Sequence, residues 1–266
     1  MSRIDPRGAV VVVTGAGNGI GAATTKRYAG LGAQVCVVDI DESGAAATAA
    51  ACRAAGGEAH VFPCDVADLG ALRALADTIT TTVGPVDVLV NNAGVGVGGP
   101  FLDTSLDDWQ WLRSINLDAV VHGCHLFGAA MVERGKGHIV NVASGAAYIP
   151  NKRMATYCAS KAAVVMLSRC LRADWAANHV GVSAVCPGVI NTGILDRTRL
   201  RGSAIGERAW MAKAFSYSHA PDSVAKAIVG AVAHNRAQVS VGIEAQLAYH
   251  GLRLLPGAVH DVLARA

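Results

Sequence analysis

The sequence predicts a doubly wound α/β fold, a parallel sheet enclosed between two layers of helices. Three observations carry this prediction. Short β-branched runs alternate with longer Ala-rich segments through most of the chain, the order expected when strands and crossover helices take turns along a sheet. Several runs, Val10-Val11-Val12-Val13 among them, are apolar at every position. That suits strands buried on both faces rather than half-exposed ones. A glycine cluster, Thr14-Gly15-Ala16-Gly17-Asn18-Gly19-Ile20-Gly21, falls between the first run and the first Ala-rich segment, the turn at which such sheets bind ligands.

Seven strands are expected. Residues 9–14 form the first on their four valines, and residues 19–31 the first helix, opening on the glycine cluster. Residues 34–39 are the second strand, residues 42–55 an Ala-rich helix, and residues 60–63 a short third strand. A helix over 69–83 leads to a fourth strand at 86–91, apolar but for Asp87 and its closing Asn91. Residues 94–99 are rich in glycine but directly follow a strand, so they read as a binding loop and not a linker. One or two helices fill 106–133, a fifth strand spans 137–143, a long helix 154–178 and a sixth strand 181–186. A helix at 222–234 and a strand at 238–241 close the pattern. Residues 189–218 mix Gly, Arg and aromatics without a period, as a lid or substrate loop does. No domain boundary is visible, so residues 1–266 read as one domain with a tail at 244–266.

Composition narrows the function classes. Hydrophobic residues make up 52% of the 266 and charged residues 16%, which excludes a disordered chain. A net charge of +3 with no run of like charge gives no reason to expect nucleic acid or an anionic membrane as partner. The polar start and the short apolar run at 9–13 do not make a signal-peptide core, and no membrane span is expected. Seven scattered cysteines without a C-x-x-C pair argue against a disulfide framework or a zinc site. A reducing cytoplasm and no metal are expected.

Three motifs carry chemistry. Gly15, Gly19 and Gly21 allow a tight turn whose backbone N–H groups approach a pyrophosphate at a helix N-terminus. Asp39 ends the second strand, where a carboxylate can accept both adenosine ribose hydroxyls of NAD and would repel the 2′-phosphate of NADP. Asn18, Ile40 and Asp41 offer that phosphate no cation. A strand-end aspartate can equally cap the next helix, which starts near Asp41 and Glu42. Tyr157 and Lys161 stand at i,i+4 and share a helix face, so the ammonium can lower the phenol's pKa. Such a spacing also arises by chance on solvated surfaces. Ser144, ending the fifth strand, can bond a substrate oxygen or merely cap a turn. His122 and His125 lack a third ligand and read as a surface or packed helical pair. Cys158 reads as a small core or interface residue.

In their order along the chain, these motifs resemble the compact, single-domain short-chain dehydrogenases/reductases. The resemblance runs from residue 9 to about 241 through Thr14–Gly21, Asp39, Asp65, Asn91-Asn92-Ala93-Gly94, Asn116, Ser144, Tyr157, Lys161, Pro187-Gly188 and Thr192. It implies a Rossmann-like three-layer sandwich with a seven-stranded parallel sheet in the order 3-2-1-4-5-6-7. It implies NAD as cofactor, held by Gly15, Asn18, Gly19, Ile20, Gly21, Asp39 and Ile40. Asp65 and Val66 meet the adenine; Asn92, Ala93 and Gly94 line the cofactor; Pro187, Gly188, Ile190 and Thr192 stand at the nicotinamide end. Tyr157 becomes the acid/base, Ser144 the group that orients the substrate oxygen, and Lys161 the ribose ligand that lowers the tyrosine pKa. Asn116 would position a water joining Lys161 to solvent.

The expected activity is NAD-dependent exchange between a secondary alcohol and a ketone. The alternative is a non-catalytic NAD(H)-binding sensor or scaffold, which has no need of the set Asn116, Ser144, Tyr157 and Lys161. Val95, Ala146, Met154, Val189, Trp210, Met211, Phe215 and Tyr217 are the expected pocket residues. Their apolar character points to a lipophilic substrate, steroid-like or aliphatic. Lys152 and Arg153 read as solvated cations at the rim. The long helices at 106–133 and 154–178, the second rich in alanine, imply by the resemblance a homo-oligomer, a tetramer or else a dimer. The tail at 244–266 packs by default on its own subunit.

Overall fold

Every pairing in the main sheet is parallel, and its order departs from sequence order at one place, next to the first strand. The computed structural model describes residues 4–216 and 218–251. The strands are β1 (Val10–Thr14), β2 (Gln34–Asp39), β3 (Glu58–Pro63), β4 (Val88–Asn91), β5 (Gly96–Gly98), β6 (Gly137–Val142), β7 (Val180–Pro187), β8 (Thr198–Leu200) and β9 (Gln238–Val241). Seven form one sheet in the order β3-β2-β1-β4-β6-β7-β9, the expected 3-2-1-4-5-6-7 once β5 and β8 are set aside.

Both faces are covered, as the all-apolar strands require. Val11 and Val13 of β1 face one core with Tyr28, Ala49 and Ile228. These come from α1 (Gly19–Gly30), α2 (Glu42–Ala54) and, later in the chain, the helix Pro221–Ala233. Val10 and Val12 face the other with Leu72, Phe127 and Val164. That layer is built from α3 (Leu69–Thr82), α5 (Ala119–Arg134) and α6 (Ala155–Asp174), with α4 (Leu106–Arg113) packed against α6.

Among the described residues, Leu106–Arg134 is the one helix long and apolar enough to cross a membrane. Val120, Cys124, Phe127 and Met131 spend its apolar side on the sheet. A π-helical turn at Ser114–Asp118 joins α4 to α5. Such a widened turn changes which side chains face the core, and Asn116 is fully buried there.

The 189–218 stretch is more regular than its sequence suggests. It holds 3₁₀ turns at Gly193–Arg197 and Gly202–Glu207 with β8 between them, then α7 (Arg208–Ser216). Pieces of three to six residues are too short to show a period. β8 pairs with β5 apart from the main sheet. Next to it, Arg201 grips Asp108 of α4 with two bonds of 2.8 Å, while Arg199 lies 3.7 Å over the Trp111 ring. The Arg201 guanidinium holds the Asp108 carboxyl well below the usual carboxylate range. These contacts strap the segment across the carboxyl edge of the sheet. Pro221–Ala233, named α8, and α9 (Ile243–Gly251) complete the chain as described. The long helix expected over 154–178 stops earlier, at Asp174, and a 3₁₀ turn at Ala176–Asn178 leads into β7.

Candidate active site

The carboxyl ends of β1, β4, β6 and β7 open onto a cavity of about 540 Å³. The glycine turn forms its floor at one end. Gly15 and Gly19 have φ of +64° and +52°, a region costly for side-chain-bearing residues. A Cβ on Gly21 would lie 2.0 Å from the Gly15 carbonyl oxygen, and one on Gly15 would lie 2.8 Å from Ala93 Cα. Asn92 braces the turn by donating its amide to the Thr14 and Gly15 carbonyls at 2.9 and 3.1 Å. The Thr14 hydroxyl accepts from the backbone N–H of Asn92 and Ala93 at 3.0 and 3.1 Å. Thr14 had no role assigned from sequence, because its partners come from β4. No side chain caps α1 at Asn18, so its first backbone N–H groups point toward the cavity edge formed by Gly19 and Ile20.

Asp39 sits beneath that turn. One carboxylate oxygen accepts from Gly17 N–H at 2.7 Å and the other from Asp41 N–H at 3.0 Å. Asp41, not Asp39, caps α2, accepting from Gly44 N–H at 3.1 Å. Asp39 is buried and Ile40 beside it is 69% exposed. Val66 is buried and Asp65 exposed, its carboxylate accepting from Ala67 N–H at 2.9 Å.

At the other end the polar groups meet. Ser144, two residues beyond β6, accepts from Ala146 N–H at 3.2 Å as a turn cap and shares the cavity with Tyr157. Lys161, one turn along α6, donates to the Val142 carbonyl at 3.0 Å and lies 5.8 Å from the centre of the Tyr157 ring. Burial pushes the Tyr157 phenol above its ordinary pKa, against the opposing pull of the Ser144 hydroxyl. The expected lowering by Lys161 is not what governs the phenol here. Burial also weakens the Lys161 charge, bringing that ammonium down to about 8.

Asn116 spends both ends of its amide on Val95, accepting from its N–H and donating to its carbonyl, each at 2.9 Å. A Cβ on Gly94 would lie 3.3 Å from Asn116 Oδ1 and 3.5 Å from Lys161 Nζ. The bare glycine thus keeps Asn116 and Lys161 near one another.

Ala146, Met154, Val189, Ile190, Thr192 and Trp210 line the cavity, with Asn92, Ala93, Gly94, Pro187 and Gly188. Val95 does not. It packs with Val97 and Leu112 under Tyr157, where its bonds to Asn116 hold it. Gly188 lets Glu244 of α9 approach, since a Cβ there would lie 2.0 Å from Glu244 Oε1. That oxygen accepts from Val189 N–H at 2.8 Å. Arg153 lines the wall in an ion pair with Glu207 and is not a free rim cation. The side chains of Met211 and Phe215, and Tyr217 and residues 252–266, lie outside the described part. Among the described residues no cluster of His, Cys, Asp or Glu is placed to hold a metal. A wider depression of about 1050 Å³ lies behind the glycine turn, between α1 and α8, away from Tyr157.

The short chain dehydrogenase family profile matches residues 9–201. A protein of Mycobacterium tuberculosis (strain H37Rv) named probable oxidoreductase EphD is 43% identical over 268 residues, which cover 96% of this chain and 45% of that protein. This chain therefore spans about half the length of that relative. D-threitol dehydrogenase of Mycolicibacterium smegmatis is 39% identical over 203 residues, 76% of this chain and 74% of that one. The crystal structure of a short chain dehydrogenase/reductase from Burkholderia phymatum in complex with NAD matches with a TM-score of 0.88 and 32% identity, over 97% of this chain and 96% of that chain. A metagenomic short-chain oxidoreductase in complex with NADP matches with a TM-score of 0.75 and 32% identity, over 90% of this chain and 98% of that chain. Sheet order, site geometry and a profile match reaching from β1 through the strap agree: the chain belongs to the short-chain dehydrogenase/reductase family.

Proposed function

We propose that the chain is an NAD-dependent oxidoreductase that interconverts a secondary alcohol and a ketone on a lipophilic molecule. The observation that carries this is the convergence of Ser144, Tyr157 and the buried Lys161, one turn along, on a single cavity. The site suits a dinucleotide. The glycine turn is a cradle that any Cβ at Gly15 or Gly21 would fill, and it lies at an uncapped helix N-terminus that favours phosphate. Gly15, Asn18, Gly19, Ile20 and Gly21 would hold the diphosphate, Asp39 and Ile40 the adenosine ribose, and Asp65 and Val66 the adenine. Asn92, Ala93 and Gly94 would flank the second ribose, and Pro187, Gly188, Ile190 and Thr192 the nicotinamide, which takes or gives the hydride.

The chain's own groups handle the proton. In the direction of reduction the Tyr157 hydroxyl donates its proton to the ketone oxygen; in oxidation its oxygen receives the alcohol proton. Ser144 bonds that same substrate oxygen and fixes it opposite Tyr157. Lys161 supplies positive charge beside the phenol, and Asn116 holds the backbone of Val95 under the tyrosine. Leu195, Leu200, Ile149, Met154, Trp210 and Ala248 give the remaining cavity an apolar wall, which supports a lipophilic substrate over a polyol.

Assembly into a tetramer is part of the same proposal, supported by exposed Leu102, Leu106 and Met166 on the α4–α6 side. Free cysteines throughout the described chain suit a cytoplasmic setting. The deciding experiment incubates the purified chain with NAD or NADP and a panel of steroid, aliphatic and polyol alcohols, followed by reduced-cofactor absorbance. Turnover of lipophilic alcohols with NAD is expected. Absence of turnover in every arm, with NADH still bound, would favour the sensor or scaffold.

A further inference from the structure

We propose that Arg197 is a phosphate ligand for the bound dinucleotide, delivered to the glycine turn by the strap. This rests on the dinucleotide function proposed above. Arg197 closes the 3₁₀ turn Gly193–Arg197, far in sequence from the glycine cluster. Its guanidinium directs both terminal nitrogens at the side-chain amide of Asn18, whose oxygen accepts from them, one at 2.9 Å, in the amide orientation that pairs donors with acceptors. Asn18 is the residue before α1, with extended backbone (φ −155°) and no side-chain cap on the helix. The strap touches the turn at a second point, for a Cβ on Gly19 would lie 3.1 Å from Thr192 Cβ. The Asp41 carboxylate, held low first by its bonds to Ser43 and Gly44, also feels the Arg197 charge. The guanidinium therefore stands at the N-terminus of α1, beside the glycine turn.

The charges around the cavity single Arg197 out. Among the described residues that line it, the cations are Arg153, Lys161 and Arg197. Arg153 is paired with Glu207. Lys161 is buried against the Val142 carbonyl, at the tyrosine end. Arg197 alone of the three is directed at the glycine turn, and its partner there is a neutral amide. A dinucleotide phosphate at the α1 N-terminus would offer that fork a charged acceptor in place of the amide, in the paired geometry guanidinium favours. The phosphate has two sources: the diphosphate bridge common to NAD and NADP, or the 2′-phosphate of NADP.

Dissociation constants for NADH and NADPH, measured by nicotinamide fluorescence on the full chain, test this. Arg197→Met and Arg197→Gln are compared with wild type, and Arg197→Lys serves as the conservative variant. Melting without dinucleotide checks that each variant folds. NADH binding is expected to weaken about 10- to 100-fold in the neutral variants, the worth of one charged hydrogen bond, with partial recovery in Arg197→Lys. Its salt dependence should flatten. Equal losses for NADH and NADPH assign the diphosphate; a loss confined to NADPH assigns the 2′-phosphate. Unchanged affinity for both, beside a wild type that binds, overturns the proposal. A wild type that binds neither overturns the dinucleotide function itself and this inference with it.

Discussion

The ammonium nitrogen of Lys161 stands 5.8 Å from the centre of the Tyr157 ring, over its face. Desolvation then governs both groups, raising the phenol and lowering the ammonium to about 8. Tyr157 is thus protonated at neutral pH, the form that donates to a ketone. Absorbance titration should show phenolate dependent on Tyr157 only above pH 10, and added NAD, whose nicotinamide is cationic, should bring it lower. Tyr157→Phe should keep NADH binding while losing turnover about 10²–10⁴-fold, the usual worth of general acid–base catalysis. A variant retaining most of the wild-type rate would remove Tyr157 from the reaction.

The buried imidazole of His138 sets a second pH dependence, this one in stability. Its Nε2 bonds Ser183 Oγ at 2.8 Å, while its Nδ1 lies where a Cβ on Gly181, its cross-strand partner, would sit 2.2 Å away. Burial lowers its pKa from 6.5 to about 3. Between those values the unfolded chain binds a proton that the folded chain refuses, so stability falls as pH drops through the window and is fully present above it. The slope should approach about 1.4 kcal/mol per pH unit. Urea unfolding at several pH values from neutral to acid should show it, and His138→Gln should flatten it. Parallel slopes in both proteins would assign the acid sensitivity elsewhere.

Assembly can be tested on one helix. Ala159, Ala162 and Met166 of α6 are all exposed and fall on one side at helical spacing. Small residues there permit close approach of a second copy. Sedimentation of the wild type should give a tetramer, and Ala162→Glu with Met166→Glu should yield smaller species, since it would bury carboxylates in the contact. A wild type that sediments as a single chain at micromolar concentration would refute the assembly.

What the sequence discloses is what local pattern controls. Val10 to Val13 alternate between the two cores, and an all-valine run states that directly. Gly15 and Gly21 could be read because each needs glycine for a reason inside one turn. β5 could not: Gly96-Val97-Gly98 has no strand preference of its own and is a strand because Thr198–Leu200 pairs with it. Asn116 carries no local signal of its own, because nothing in the sequence marks the π turn that buries it. The balance that sets the Tyr157 pKa could not be read from spacing for a related reason. Spacing along a helix fixes which face Lys161 shares, whereas the burial that outweighs its charge comes from the whole fold. Arg197 is the plainest case, since its contact with Asn18 joins segments that only the strap brings together.

Cofactor choice is where residue chemistry makes the sharpest forecast. Each Asp39 oxygen accepts one backbone N–H, from Gly17 or Asp41, and a carboxylate has acceptor positions left for ribose hydroxyls. NADP would replace one such bond by like charges. A hydrogen bond to a charged group contributes about 1.5–3 kcal/mol, and about 1.4 kcal/mol is tenfold, so NAD should be preferred about 10- to 100-fold before repulsion is counted. Asp39→Ala with Ile40→Arg removes the carboxylate, releases the Gly17 N–H toward an incoming phosphate and adds a guanidinium at an exposed position. The ratio of kcat/KM for the two cofactors should narrow or reverse at fixed ionic strength. Arg197 is the complication, because a guanidinium already beside Asn18 could serve a 2′-phosphate. Adding Arg197→Met to both backgrounds resolves it. If Asp39 alone sets the choice, that change weakens both cofactors equally and leaves the ratio intact. A wild type that prefers NADP, and loses that preference with Arg197→Met, would transfer the choice from the strand end to the strap.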